Sequence, residues 1–393
     1  MTLRLLLSKE LKSLLREPMV IAMIVLPLVM YSAMAPFYGA ASKQAEAAAK
    51  LKGVKLAVAA CHPRAMEKAM LETIASSLRA RGVNASYVEA CSPLRLLEHG
   101  YDVVVMLNST AATKVSFTVY VKGSVSKLMK TLALPGSVIG QIRVAASPAA
   151  NVTSRAYIVL NGRLWSFEDL NNLYGVGITM GYATFFILFP AASLGAALIG
   201  AEREERTLDV LFSLPVSRRS IAVSKALAAL SVSVLAAVSA LAGLYNMFHS
   251  MGVNLGITRY YAPGDLGVYV AAIAAEALFA VMLAMIVGLF ASTMRGAQSA
   301  SMIVVFPAIV PPMMLMVGLP LSLWVAVLPY TAAVYAGLSP ILGTRMALAA
   351  TAAQALEALA ALLVLAKLLE SEAAVTGPET VKRLLQRLRR RRR

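Results

Sequence analysis

Residues 199–225 read Ile-Gly-Ala-Glu-Arg-Glu-Glu-Arg-Thr-Leu-Asp-Val-Leu-Phe-Ser-Leu-Pro-Val-Ser-Arg-Arg-Ser-Ile-Ala-Val-Ser-Lys, a dense polar segment between two long apolar runs. The polar part of this stretch, residues 202–219, contains four acidic residues and four arginines. Its net charge is therefore zero, although its charge density is high. Leu208, Leu211 and Phe212 follow helical i, i+3, i+4 spacing and form one apolar stripe. Pro215 ends the helix, because proline lacks a backbone donor. We expect a short cytosolic helix that another protein binds; the alternative is an ordinary solvated loop between membrane spans.

The order of residues within 202–219 resembles the signature of the ATP-binding-cassette (ABC) type-2 membrane permeases, and Lys225 opens the next apolar run as in that signature. In that family the segment is the coupling helix that docks into a separate ATPase subunit. The resemblance implies that the ATPase-coupling residues are Glu204, Arg206, Thr207, Leu208, Leu211, Phe212, Pro215, Ser217 and Arg218.

The composition places the chain in a bilayer. Of its 393 residues 59% are hydrophobic and only 15% are charged, whereas soluble domains carry about 25% charged residues. The formal net charge is +17, and the tail over 370–393 ends in five arginines. The positive-inside rule predicts that this tail is cytosolic. We expect it to contact anionic lipid headgroups, and we expect no nucleic-acid partner.

A membrane-spanning helix needs about 20 apolar residues. The stretch over 321–340 is apolar, but Pro320, Pro329 and Pro340 divide it into pieces too short to cross. We expect it to be a re-entrant pair of half-helices that enters from outside. Six crossings then leave both termini in the cytosol, and the predicted spans are 19–41, 172–200, 221–249, 265–292, 299–319 and 344–369.

The first 18 residues predict an amphipathic helix on the cytosolic membrane surface. Its apolar face comprises Leu3, Leu7, Leu11, Leu14 and Leu15. The alternative is a signal peptide with 19–37 as its apolar core. Type-2 permeases also open with Lys-Glu followed by Arg-x-Pro, as this chain does, so the resemblance favours the surface helix.

Residues 42–171 lack long apolar runs and alternate strand and helix patterns. The predicted strands are 54–60, 85–90, 101–107 and 114–121, and the predicted helices are 64–81, 93–98 and 125–144. This alternation indicates an inserted α/β domain with some parallel pairing. The six-span topology places the domain outside the cytoplasm.

The two cysteines of the chain, Cys61 and Cys91, each follow a predicted strand. Adjacent parallel strands are about 4.8 Å apart, close to the Cα separation of a disulfide, so the pair is a disulfide candidate. Such a bond persists outside the cytoplasm. The alternative is two free thiols in a small core. We predict no metal site, because the histidines are too scattered along the chain to complete one: His62, His99 and His249.

The three Asn-x-Ser/Thr sequons of the chain all fall within 42–171, at Asn84, Asn108 and Asn151. Each is a candidate glycosylation site, and each alone is a weak signal. Their grouping agrees with the extracytoplasmic location of the domain.

Two carboxylates, Glu276 and Glu357, fall near the middle of predicted spans. An ionised carboxylate at the bilayer centre costs at least about 2.5 kcal/mol, so such residues face protein or water. We consider both residues candidates for the transport route. The alternative is a packing role, in which each side chain is protonated or hydrogen-bonded to a neighbouring span.

The sequence predicts a helical polytopic membrane protein of six transmembrane helices, a re-entrant pair and the inserted domain. The resemblance implies the permease subunit of an ABC exporter of the sodium- or drug-export type, paired with a second permease chain, identical or related. No Gly-x-x-x-x-Gly-Lys-Ser/Thr loop occurs, so we expect no catalytic site or cofactor here and expect ATP and Mg²⁺ in the ATPase partner. A secondary carrier that uses the two carboxylates, and a membrane-anchored envelope sensor or assembly factor, are the alternatives.

Overall fold

The computed structural model describes most of the chain between residues 53 and 371. The described ranges are 53–111, 114–124, 128–145, 151–205, 218–250, 260–316 and 321–371, with isolated helical positions at 12, 21, 25, 28 and 29. The surface helix predicted over 1–18, the first span predicted over 19–41 and the basic tail over 370–393 therefore lie almost entirely outside the described residues. The chain divides into two compact units, one within 37–175 and 314–321, the other within 1–36, 176–313 and 322–393.

The described residues of the first unit form a six-stranded sheet and the helices that connect its strands. In chain order the elements are β1 (Lys55–Ala60), α1 (Ala65–Ala80), β2 (Asn84–Glu89), α2 (Pro93–Glu98), β3 (Val103–Ala111), β4 (Lys114–Lys122), α3 (Leu128–Ala145), β5 (Asn151–Leu160) and β6 (Arg163–Ser166). The strand order is β2-β1-β3-β4-β5-β6. β1 pairs in parallel with β2 and β3, and β4 pairs in parallel with β5. The pairs β3–β4 and β5–β6 are antiparallel.

The central strands form because their residues are apolar on both faces. Five of the six residues of β1 are buried, which is typical of a strand covered on both sides. Helix α1 buries Leu71, Ile74, Ala75 and Leu78, the i, i+3, i+4, i+7 pattern of one helix face. The sheet and α1 thus share one core.

The observed elements differ from the predicted ones mainly at the end of this unit. The strand predicted over 101–107 extends to Ala111, and β5 and β6 were not predicted at all. β5 contains the polar run Thr153-Ser154-Arg155, which does not predict a strand. It forms a strand by pairing in parallel with β4, which lies earlier in the chain.

The second unit is helical. Its elements, counting a helix that begins before residue 176, are α4 (Phe167–Glu204), α5 (Arg218–Ser250), α6 (Pro263–Phe290), α7 (Met294–Val305), α8 (Val310–Met316), α9 (Leu323–Ala326), α10 (Ala332–Gly337), α11 (Ser339–Leu342) and α12 (Thr344–Glu370). A 3₁₀ turn over Phe306–Ile309 joins α7 to α8.

Within the described residues, four helices have the length and apolar composition of a membrane span: Phe167–Glu204, Pro263–Phe290, Met294–Leu315 and Thr344–Glu370. They correspond to the spans predicted over 172–200, 265–292, 299–319 and 344–369. The span predicted over 221–249 is helical as α5, but its described apolar stretch is only Val223–Val232. The count of six spans stays a prediction.

Small residues bring two of these helices close together. A Cβ atom placed on Gly195 of α4 would lie 3.1 Å from the carbonyl oxygen of Val281 in α6. A Cβ atom on Gly288 of α6 would lie 2.9 Å from the carbonyl oxygen of Ala196 in α4. Larger side chains would separate the helices, so the glycines allow backbone contact as in other membrane bundles.

Candidate functional site

Most of the predicted coupling residues lie outside the described residues: Arg206, Thr207, Leu208, Leu211, Phe212, Pro215 and Ser217. Glu204 is the last residue of α4 and Arg218 is the first residue of α5; the side chain of Arg218 is not described. The structure therefore shows how the two ends of the segment attach to helices.

Glu204 connects the end of α4 to the beginning of α7. Its Oε2 atom accepts a 2.8 Å hydrogen bond from the backbone N–H of Met294, the first residue of α7. At the same helix end, Thr293 Oγ1 accepts from the N–H of Gly296 at 3.1 Å. A negative charge at a helix N-terminus is favourable by about 0.3–1 kcal/mol, so Glu204 stabilises α7 and holds it against α4.

A buried ion pair connects α4 to α5. Lys225 Nζ lies 2.6 Å from Glu202 Oε1 and donates a second hydrogen bond to the carbonyl oxygen of Leu198 at 3.2 Å. The side chains of Lys225 and Glu202 are 2% and 15% exposed. Glu202 is the first residue of the 202–219 segment, and Lys225 follows the end of that segment by six residues. A buried charge must be paired, so this contact fixes the two helices that flank the segment.

Glu276, a predicted route residue, lies on α6 and is fully buried. Its Oε1 atom accepts a 2.9 Å hydrogen bond from the N–H of Ala333, near the N-terminus of α10. Its Oε2 atom has no hydrogen-bond partner among the described residues. The structure thus gives Glu276 a capping role on the broken 321–340 segment. A route role stays a prediction.

Glu357, the second route candidate, lies on α12 three residues after Gln354. Glu357 is partly buried, and its Oε2 atom has no hydrogen-bond partner in the described part of the chain. Gln354 is buried, and its Oε1 atom accepts a 2.7 Å hydrogen bond from the N–H of Tyr330. Glu276 and Gln354 therefore satisfy backbone donors of the same broken segment from two different helices.

Tyr330 occupies the centre of this arrangement. Its φ of 65° is in the left-handed region, which a bulky residue adopts only when its surroundings hold it there. Its hydroxyl donates to the carbonyl oxygen of Val304 in α7 at 2.9 Å, and its ring contacts Phe279 of α6 with centroids 5.4 Å apart. Irregular backbone at membrane depth requires such internal partners.

The structure joins Cys61 and Cys91 by a disulfide with Cα atoms 4.4 Å apart. They follow the parallel strands β1 and β2, whose last residues Ala60 and Glu89 are partners in register. An imidazole nitrogen of His62 and both sulfur atoms lie within 4.8 Å of one another. The sequence predicts that the histidines are too scattered along the chain to complete a metal site, and this proximity by itself does not test that prediction.

The sequons differ in their surroundings. Asn84 begins β2 and is exposed. Asn108 is exposed in β3, but its amide nitrogen, the atom that would carry a glycan, donates a 2.6 Å hydrogen bond to Thr118 Oγ1. Asn151 begins β5, and its side chain is not described. Modification of the three stays a prediction.

Comparison with known proteins identifies the family. The family model described as "ABC-2 family transporter protein" matches residues 4–369, nearly the whole chain. The chain belongs to the ABC-2 transporter family. No curated protein matches it significantly. The resemblance drawn from residues 202–219 is confirmed, and the chain is a membrane subunit of an ABC transporter of this family, whose permeases typically pair with an ABC ATPase.

Sequence reasoning missed three features of this ABC-2 permease. Glu202 was counted only as one charge among eight, although its pairing with Lys225 joins two helices. Gln354 and Tyr330 were not considered. Two signals could have found them. One is an acid at the start of a polar segment followed by a base at the start of the next apolar run. The other is a glutamine inside a membrane span, because polar groups in apolar runs need partners.

Proposed function

We propose that the chain is the membrane-spanning permease subunit of an ABC exporter, in which a separate ATPase subunit binds the 202–219 segment and drives substrate out of the cell. Family membership supports the membrane-subunit role. The observation that carries the proposal is the attachment of the segment's ends through the Glu202–Lys225 pair and the bond from Met294 to Glu204.

These contacts suit the transmission of movement. A partner that displaces the segment would move the end of α4 and the beginning of α5 together, since a buried ion pair joins them. The bond at Glu204 extends the same displacement to α7. Movement of a few residues at the membrane surface would thereby become movement of three helices, which changes access to a route between two permease chains.

The sequence supports a topology, a location for the first unit and two kinds of partner. The arginine-rich tail favours a chain in the cell membrane with both termini in the cytosol. The sequons and the disulfide favour a location outside the cytoplasm for the first unit, called the sheet-bearing unit from here on. The chain has no Gly-x-x-x-x-Gly-Lys-Ser/Thr loop, which supports the proposal that the partner ATPase binds ATP and Mg²⁺. A second permease chain, identical or related, completes the transporter.

Of the alternatives, family membership disfavours both the secondary carrier and the envelope sensor. The capping bond of Glu276 to Ala333 also gives that carboxylate a structural role that requires no ion coupling. We therefore retain the exporter subunit as the single proposal.

The test is co-purification of the ATPase with a variant that carries Leu211→Asp and Phe212→Asp. Two added charges on the apolar stripe should abolish binding of the ATPase and transport while leaving the permease inserted. The matched control is Leu94→Asp with Leu164→Asp, which adds the same charge at two side chains of the sheet-bearing unit that are 47% and 53% exposed. The control should bind the ATPase normally. Retained binding and transport in the first variant would refute the proposal.

A further inference from the structure

We propose that Cys61, His62 and Cys91 form a metal site that is closed by the disulfide and opens when the disulfide is reduced, and that it then binds one Zn²⁺ ion. The three ligand atoms, two sulfurs and one imidazole nitrogen, lie within 4.8 Å of one another. The three residues lie in the first unit, and this proposal does not depend on the proposed function.

The geometry fits a tetrahedral ion after a small movement. Zn–S bonds of about 2.3 Å place two thiolates on one zinc about 3.8 Å apart, and a Zn–N bond of about 2.0–2.1 Å places the imidazole about 3.5 Å from each sulfur. These separations are shorter than the 4.8 Å limit within which the three atoms already lie. Once the disulfide is reduced, rotation about the Cα–Cβ bond of each cysteine moves the sulfurs apart.

The backbone at His62 is held in an unusual conformation. Its φ is 51°, in the left-handed region that non-glycine residues seldom adopt. Pro63 follows, and a residue before proline normally takes an extended φ. In the described part of the chain no hydrogen bond or ion pair engages the imidazole. A strained backbone that places an unengaged imidazole beside two sulfurs is the independent observation that points to a ligand.

The site is also accessible. Cys61, His62 and Cys91 are all exposed, so an ion can enter and water can take the fourth position. His99, the other histidine whose side chain is described, differs, because its Nδ1 atom lies 2.6 Å from the carbonyl oxygen of Arg95.

A dithiol reductant supplies two electrons and two protons, the Cys61–Cys91 bond breaks into two thiols, and the reductant leaves as its own disulfide. Zn²⁺ then binds both sulfurs and the neutral imidazole, and two thiol protons are released to solvent. Reoxidation by a disulfide of the same class expels the ion.

The experiment uses the full chain in detergent, reduced with a phosphine, which carries no thiol to compete for the metal. Zn²⁺ is titrated against a chromophoric chelator, and Co²⁺ replaces it for absorption spectra that report thiolate ligation. We expect one ion per reduced chain and no binding by the oxidised chain.

Variants then assign the ligands. His62→Asn tolerates a left-handed backbone but removes the imidazole, so it should weaken binding at least about tenfold, since even outer-shell changes at metal sites cost 10–100-fold. Cys61→Ser with Cys91→Ser should abolish binding, and the control His99→Ala should leave it unchanged. Equal affinity in wild type and His62→Asn, binding by the oxidised chain, or no binding by the reduced chain would each overturn the proposal.

Discussion

Replacement of either partner of the Glu202–Lys225 ion pair by methionine should destabilise the protein, whereas replacement of both should not. At 2.6 Å and an effective dielectric constant near 20, the attraction is about 6 kcal/mol. Desolvation of the two charges offsets most of it, so the net value of the pair is small. Removal of one partner strands a buried charge and costs about 3–5 kcal/mol.

The two single variants should differ in a defined order. Lys225 is 2% exposed and Glu202 is 15% exposed. Glu202→Met leaves the more deeply buried charge, so it should lower the free energy of unfolding by about 5 kcal/mol. Lys225→Met leaves a carboxylate that water reaches, so it should lower the free energy of unfolding by about 3 kcal/mol. The double variant should lie within about 1 kcal/mol of wild type, because two apolar side chains of similar length fill the space.

The assay is equilibrium unfolding of the purified chain in mixed micelles, analysed as a double-mutant cycle. The two single losses less the loss in the double variant give an expected interaction energy of about 7 kcal/mol. Lys367→Met, at an exposed lysine near the end of α12, is the control and should change stability by less than about 0.5 kcal/mol. Additive single effects, or a Lys225→Met variant more damaging than Glu202→Met, would refute the reasoning.

Three other predictions follow from the contacts described. Glu276→Gln and Glu357→Gln should impair export, or change its pH dependence, with little loss of assembled protein if either carboxylate lines the route; normal transport and pH profile in both would leave only the structural role. Glu276→Ala removes the acceptor for Ala333 and should cost about 1–3 kcal/mol in the same unfolding assay, a loss that Glu276→Gln should largely avoid. Alkylation of the folded protein without reductant should label neither Cys61 nor Cys91 by mass spectrometry, and labelling of both would contradict the disulfide.

Local sequence patterns predicted the helices and strands whose formation depends on residues close together in the chain. Helix α1 follows from the spacing of Leu71, Ile74 and Leu78, and the short apolar run of β1 predicts a buried strand. The pairing of Cys61 with Cys91 also followed from strand ends, because parallel neighbours end at the same edge. Such features depend on residues close in the chain, or on one simple rule about sheets.

The features that were missed depend on residues far apart in the chain. β5 is a strand because it pairs with β4. Its own polar run does not indicate a strand. The role of Gln354 depends on a donor 24 residues away, and that of Glu276 on a donor 57 residues away. His62 has a left-handed φ, although a residue before proline is normally extended.

The hydrogen bonds of the 321–340 segment impose an order on biosynthesis. When the N–H groups of Tyr330 and Ala333 leave the ribosome, Glu276 has already been made, but Gln354 follows Tyr330 by 24 residues. One donor of the segment, the N–H of Tyr330, therefore lacks its acceptor until α12 is synthesised. The segment can settle in the apolar phase only when α12 inserts, so a chain truncated before Gln354 should leave this region open to proteases even though most of its spans are complete.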